Sequence, residues 1–500
     1  MTQRDSKSAI VLDIAVFVCG AVVMVYEIIG SRILAPHIGT STYVWTSLIG
    51  VILAALSFGY WFGGKLADKK PSVGILASAI FTAAGLVSAT ILVKDIVLTV
   101  IAASSLVLEL KSLIAALFLF APASVFLGFV TPYAVKLRTV SLDSSGATVG
   151  RLYALSTIGS IVGTFVAGFL LIPFVGSTRT LYLVAASLFA ASLILAPFAL
   201  TRTNLTAIVL FVFGIVTNET YAHFLYRRVE LVDTDTEYNR VQIFRMNDPV
   251  TGRPERALSI DPATIQSRMF LDGDDLASEY LHYYHLVRLY KPDFQHSLLI
   301  GGAGYSFPKE YLRTYPGKTI DTVEIDPGMT ALARKYFDLK DDPRLRIIHE
   351  DGRIFLNHAP DDAYDAVFLD AFSALFSIPF HLTTRESAVE IARVLKPDGV
   401  VIFNLGGALT GPAGGFFRTE LATYRSVFPE VLVFKVRSER PDDEVQNLII
   451  VARKSPGSVA GTIDFELGRL LANRRSPDVP AGVQILTDDL APVEYFNSGR

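Results

Sequence analysis

Seven apolar windows crowd the first half of the chain, at residues 9–34, 43–64, 72–93, 112–134, 150–174, 179–199 and 204–225. Each is near the roughly 20 residues that a bilayer core demands of a crossing helix. Backbone polar groups in hydrocarbon must be satisfied within their own segment, so a run of such windows predicts a helical membrane bundle of about seven spans. Only 18 charged side chains fall between Ile10 and Tyr226, although the whole chain has 45 Lys and Arg and 48 Asp and Glu. An eighth apolar stretch, residues 96–108, is too short to cross comfortably and reads as a re-entrant or interfacial piece. The first window is too long for the apolar core of a signal peptide and reads as a retained span. Gly59, Gly63 and Gly64 in the second window and Gly159, Gly163 and Gly168 in the fifth predict close helix packing. Glu27 is an ionisable group midway along the first span, either functional or bonded within the bundle.

Flanking charge sets a preference for orientation. With the N-terminus in the cytoplasm, Arg4, Lys7, Lys65, Lys69, Lys70, Lys136, Arg138, Arg151 and Arg202 lie inside. The opposite short loops then carry only Arg32, Lys94, Lys111 and Arg179. Seven spans send the C-terminal part outside. An eighth crossing at 96–108 returns it but moves Lys136, Arg138 and Arg151 to the wrong side, so the side of the C-terminal domain stays open on sequence grounds.

Beyond residue 226 the pattern changes. The net charge of -3, with no Lys/Arg tract interleaved with aromatics, argues against a nucleic-acid partner. The single cysteine, Cys19, allows neither a disulfide framework nor a cysteine metal site within one chain. Three regions are expected: 1–226 as the transmembrane helical domain, 227–284 as a small β-rich lead-in, and 285–500 as a nucleotide-binding α/β domain. Residues 280–290 have helical spacing. From His296 apolar strand runs alternate with helices, predicting a doubly wound sheet whose ligand crevice lies at the carboxyl ends of its strands.

Polar landmarks gather at those ends. Gly301, Gly302 and Gly304 close the first strand, Glu324 and Asp326 the second, Asp351 and Gly352 the third, and Asp370 the fourth. The glycines allow a tight turn and close backbone approach, but Phe307 stands where a dinucleotide fingerprint has its third glycine. Glu324 is placed to accept from both hydroxyls of a ribose. Any one of these acids taken singly can instead cap a helix or turn.

GGAGY, VEID, EDGR and LDAFS, in this order and spacing, resemble the spermidine synthase (polyamine aminopropyltransferase) family. With the N-terminal run YEIIGSRILAPHIGTSTYVW, they resemble its membrane-fused members. The resemblance implies a Rossmann-like domain of the S-adenosylmethionine-methyltransferase type. It implies a co-substrate, decarboxylated S-adenosylmethionine or S-adenosylmethionine itself, held by Asn239, the glycine turn, Glu324, Asp351 and Gly352. Asp370 corresponds to the proton acceptor, and Tyr280 to a ligand-binding tyrosine. The second acid of the family's D-x-x-D motif is Ser373 here, which puts a diamine acceptor such as putrescine in doubt. Pro379 and His381 follow as further candidate substrate contacts. Glu386 and Asp272 are the nearest acids that could replace the missing one.

The chemistry so implied is displacement at a carbon next to a sulfonium by a neutral amine, with Asp370 taking the proton and no metal needed. The implied partners are a small-molecule amine or polyamine and the lipid bilayer, at a multi-pass position in the cell membrane, with a homodimer left open. Two other readings remain: a methyltransferase using S-adenosylmethionine, and a membrane sensor or transporter that binds a nucleoside or polyamine without turnover.

Overall fold

The computed structural model describes residues 3–139, 145–196, 202–260, 264–371, 378–456, 461 and 463–497. The chain divides into two compact units, Met1–Thr236 and Glu237–Arg500.

The first unit has six helices long and apolar enough to cross a membrane: Ala9–Ile38, Thr42–Lys69, Val73–Ala102, Ser145–Phe174, Ser177–Leu195 and Leu205–Val229. A bent pair, Leu108–Leu119 and Ala121–Arg138, makes a seventh if counted as one span, with a 52° break. Two features depart from the sequence expectation. The apolar stretch at 96–108 is no separate piece, because most of it finishes the helix Val73–Ala102, in which no residue from Ile96 onward breaks helical geometry. The window 112–134 is not a straight helix. Pro122, in the first turn of the segment that follows Phe120, has no N–H to continue the hydrogen-bond ladder. At the break, the Leu119 carbonyl accepts from the hydroxyls of Tyr26 at 2.8 Å and Thr90 at 2.9 Å, so this carbonyl is satisfied by side chains.

Ion pairs fix the number of crossings. Arg138 donates to Asp13 at 2.8 Å and to the Ala9 carbonyl at 2.9 Å, and Arg151 donates to the other Asp13 oxygen at 2.7 Å. Asp13 and Arg138 therefore share one end of the bundle, which requires an even number of crossings between them. Three long helices intervene, so the bent pair makes a fourth pass along the bundle, and residues 96–102 belong to the third helix and make no pass of their own. Three more helices carry the chain to the opposite end. There Asp235, on β1 (Val232–Asp235), accepts from the backbone N–H of Ser177 at 2.8 Å and from its hydroxyl at 2.7 Å, capping the helix Ser177–Leu195.

Gly159 and Gly163 let two helices touch: a Cβ on them would sit 2.1 Å from the Phe17 carbonyl oxygen and 2.3 Å from that of Ala21. Gly59 and Gly63 do the same against Val125 and Phe129, whereas Gly64 and Gly168 face open space.

The second unit begins with the antiparallel strands β2 (Arg240–Asn247), β3 (Pro254–Ser259) and β4 (Ser267–Phe270). A 3-10 turn, Glu279–Leu286, and a short helix, Val287–Tyr290, occupy the stretch expected to be one helix. The main sheet follows: β5 (His296–Ile300), β6 (Thr319–Val323), β7 (Leu345–Ile348), β8 (Tyr364–Leu369), β9 (Leu395–Gly407), β10 (Glu430–Lys435), β11 (Gln446–Arg453) and β12 (Arg474–Arg475). Its order is β12-β10-β11-β9-β8-β5-β6-β7. Strands β7, β6, β5, β8 and β9 are parallel, while β11 runs antiparallel to β9, so the sheet is mixed. Every residue of β8 is buried, the pattern of a strand covered on both faces, while β7 at the edge is only partly covered. Chain order reverses at β5, with β6 on one side and β8 on the other, so the crevice of this Rossmann-like domain opens between the ends of β5 and β8.

Gly163→Val should lower the melting temperature of the first unit in detergent, because overpacking a helix contact costs about 1–3 kcal/mol. Gly168→Val at an open position should leave it unchanged, which thermal unfolding of both variants checks.

Candidate active site

At the crevice the glycine turn and the fourth-strand acid are forced together. The backbone N–H of Asp370 still donates to the Ile300 carbonyl at 2.9 Å, keeping β8 zipped to β5 as both end. Gly301 then turns with φ +100°, and a Cβ there would lie 2.6 Å from the Asp370 carbonyl oxygen. Only glycine meets both demands.

The Asp370 carboxylate sits in a polar shell within an apolar wall. One oxygen accepts from the Tyr280 hydroxyl at 3.0 Å, the other from the Asn404 side-chain amide at 3.0 Å. Asn404 is itself oriented, since Asn447 donates to its carbonyl oxygen at 3.0 Å and leaves its amino group for Asp370. The Tyr284 hydroxyl stands beside the same carboxylate, buried and without a well-formed hydrogen bond. Burial pushes Asp370 up to about 6, opposed by the donors Asn404, Tyr280 and Tyr284. An acid with that value is mostly ionised at neutral pH yet takes up a proton far more readily than an ordinary carboxylate, which suits proton transfer.

Glu324 follows β6 and stitches the glycine turn. One oxygen accepts from the backbone N–H groups of Gly302 at 2.8 Å and Ala303 at 3.0 Å, the other from that of Asp326 at 3.0 Å. Burial raises its pKa, and those three N–H groups hold it down. A carboxylate has about four acceptor positions, so roughly one is left for a ribose hydroxyl, and a grip on both hydroxyls requires the turn to yield.

The other strand-end acids do cap helices. Asp326 accepts from the N–H of Gly328 and Met329 at the start of Pro327–Tyr336, and Asp351 from those of Arg353 and Ile354 at the start of Gly352–His358. Asn239 donates to the far oxygen of Asp326 at 3.4 Å. The remaining Asp351 oxygen lies 3.1 Å from His381 Nε2, on the turn Phe380–Leu382 that Pro379 introduces. Gly352 packs under Ile300, whose Cγ2 would lie 2.6 Å from an added Cβ. Gly302 and Gly304 are similarly close to the Tyr305 ring and to Ser267. Ser373 lies outside the described residues. Asp272 is paired with Arg253 at 2.8 Å, and Glu386 accepts from the Asp488 N–H at 3.0 Å, so both candidate replacement acids already have partners.

Asn404, Asn447 and Tyr284 were not among the residues expected from sequence. Asn404 had a signal, as a single amide within the apolar run VVIFNL, and Tyr284 stands four residues after Tyr280.

The family described as "Spermine/spermidine synthase domain" matches residues 278–431. The second unit carries a spermine/spermidine synthase domain. A curated relative from Vibrio vulnificus, "Polyamine aminopropyltransferase", is 35% identical over 153 residues, or 30% of this chain and 49% of its own length. "Polyamine aminopropyltransferase 1" from Streptomyces coelicolor is 25% identical over 445 residues, 80% of this chain and 76% of its own. That alignment is too long to fit within the domain's unit alone. The crystal structure of a probable spermidine synthase from Corynebacterium glutamicum aligns with TM-score 0.42 and 19% identity, covering 50% of this chain and 95% of that one.

The donors around Asp370 favour its charged form, so removing one should raise its pKa further. Any activity that requires the Asp370 carboxylate should fall on the acid side near pH 6 in the natural chain. In Tyr280→Phe or Asn404→Leu that limb should move to higher pH, by about one unit for each lost hydrogen bond. A pH profile of kcat/KM checks it, and an unmoved limb would assign the titration to another group.

Proposed function

We propose that this chain is a membrane-anchored aminopropyltransferase. The observation that carries the reading is Asp370, a buried carboxylate raised to about 6 beside a glycine turn at the point where strand order reverses. The match of residues 278–431 and the names of the curated relatives support it.

The residues present fit a nucleoside sulfonium. The glycine turn admits close backbone approach, and Glu324 keeps about one acceptor position for ribose. Decarboxylated S-adenosylmethionine supplies an electrophilic carbon next to a cationic sulfur. Asp370 accepts the proton that an attacking amine must shed, and Tyr280 and Asn404 hold the carboxylate in line for it. Charge is lost at sulfur as the reaction proceeds, so the apolar wall formed by Phe307, Tyr284 and Phe368 favours the transition state over the cation. The helices of the first unit, six or seven by length and apolarity, are taken to lie in a lipid bilayer.

Asp370→Asn should bind 5'-methylthioadenosine normally while losing turnover by about 10²-fold or more, because the amide cannot take the proton. Calorimetry and a product assay on one preparation separate the two effects, and normal turnover near neutral pH removes Asp370 from the mechanism. In Glu324→Gln one oxygen becomes a donor facing backbone N–H donors, so affinity for 5'-methylthioadenosine should fall by about tenfold or more. Unchanged calorimetric affinity would move the ribose elsewhere. Methyl transfer from S-adenosylmethionine in place of aminopropyl transfer, read from the products with both donors supplied, would convert the reading to a methyltransferase.

A further inference from the structure

We propose that Asp488, in the C-terminal segment of the chain, is a positioning residue for the donor: it sets Arg353, and through Arg353 the turn that carries His381. The inference rests on the aminopropyl-transfer reading above and concerns the donor side of the same site.

The wall on that side comes from two separate segments. One oxygen of Asp351 accepts from the N–H groups of Arg353 at 2.8 Å and Ile354 at 3.1 Å, and the other lies 3.1 Å from His381 Nε2. The Asp351 and His381 side chains are 23% and 36% exposed, so a bound nucleoside can reach both. His381 belongs to the turn Phe380–Leu382, which is short enough that its place depends on what it is tied to. Its tie is Arg353, in the first turn of the helix Gly352–His358. Arg353 Nη1 donates to the His381 carbonyl at 3.2 Å and to the Thr384 hydroxyl at 3.2 Å, while Nε donates to Asn357 at 3.0 Å.

That guanidinium is held in turn from far along the chain. Arg353 Nη2 donates to Asp488 at 2.9 Å, across 135 residues of sequence. Among the described residues Asp488 is its one ion-pair partner. The Arg353 side chain is only 15% exposed, so losing that partner leaves a largely buried cation without a counter-charge. The other Asp488 oxygen takes the hydrogen of the Thr384 hydroxyl at 2.6 Å. A hydroxyl has one hydrogen and two lone pairs. With its hydrogen committed to Asp488, Thr384 turns its lone pairs to Arg353 and to the N–H of Ser387, at 3.3 Å, which it caps. One carboxylate therefore orients both groups that hold the His381 turn.

The segment that presents Asp488 is seated by contacts of its own. Leu486 is fully buried, its N–H donates to the Thr423 hydroxyl at 3.0 Å, and its carbonyl accepts from the Arg385 N–H at 2.8 Å. The backbone N–H of Asp488 donates to Glu386 at 3.0 Å, and Thr487 and Leu490 exchange backbone hydrogen bonds that close the turn. Removing the Asp488 carboxylate leaves these contacts in place and frees Arg353.

Full-length protein in detergent is titrated calorimetrically with 5'-methylthioadenosine, and its melting temperature is read without ligand. Asp488→Ala should weaken binding by about three- to tenfold at unchanged stoichiometry. Asp488→Asn should lose less, because its amide oxygen still accepts the Thr384 hydrogen; being isosteric, it carries the test if the alanine variant does not fold. His381→Ala should also weaken binding, and adding Asp488→Ala to it should have no further effect, the mark of one residue acting through another. Unchanged affinity in either the Asp488 variants or His381→Ala overturns the proposal. So does the same fold loss from Asp488→Ala in the His381→Ala background, or a loss confined to stoichiometry and melting temperature, which would make Asp488 merely structural. If the natural chain itself fails to bind 5'-methylthioadenosine, the donor reading has failed and this inference falls with it.

Discussion

The close approach of the Gly301 backbone to that of Asp370 is the constraint on which the rest of the candidate site depends. Two parallel strands end side by side where chain order reverses, and a Cβ at Gly301 would collide with the Asp370 carbonyl. Because the turn passes that closely, its N–H groups at Gly302 and Ala303 face Glu324, and the Asp370 side chain is left at the mouth of the crevice. Widening this contact by one methyl group would shift the turn, Glu324 and Asp370 together.

The two central carboxylates answer burial in opposite ways. Glu324 is tied by three backbone N–H groups and supports the turn as an acceptor. Among the described residues Asp370 is held by side chains, and its rise from 3.8 to about 6 corresponds to an ionisation cost of about 3 kcal/mol relative to water. That cost raises its affinity for a proton, because a carboxylate fully satisfied by donors would have little tendency to accept one. The Asn447–Asn404 pair shows how the balance is kept: a fixed amide direction supplies one hydrogen bond to Asp370 without supplying a charge.

Much of this was legible in the sequence, for identifiable reasons. The runs HSLLI, TIDTV and YDAVFL are short and apolar and end in glycine or acid, so strand, strand end and crevice could be read directly. The helices of the first unit were legible because apolar windows of about twenty residues leave few alternatives to a helix. The break at Phe120 was not, because an apolar window responds to composition and is insensitive to one missing N–H at Pro122. The mixed half of the sheet was not read either, since an antiparallel strand such as β11 resembles a buried parallel one in its side chains. Contacts from His381 to Asp351, from Asn404 to Asp370 and from Asn447 to Asn404 join distant segments, and no local period encodes them. The acids at 326 and 351 illustrate the opposite difficulty: a residue can stand at a strand end because the next helix needs a cap.

That double employment bears on how sequences of this kind drift. Were a descendant of this chain released from selection for turnover, Asp326 and Asp351 would still be retained, because losing either uncaps a helix. Among the described residues Asp370 caps no helix, and it carries a burial penalty, so an amide or apolar replacement there could even firm the fold. On the function proposed above, a lineage that keeps the first two acids and abandons the third has the outline of the site without its chemistry.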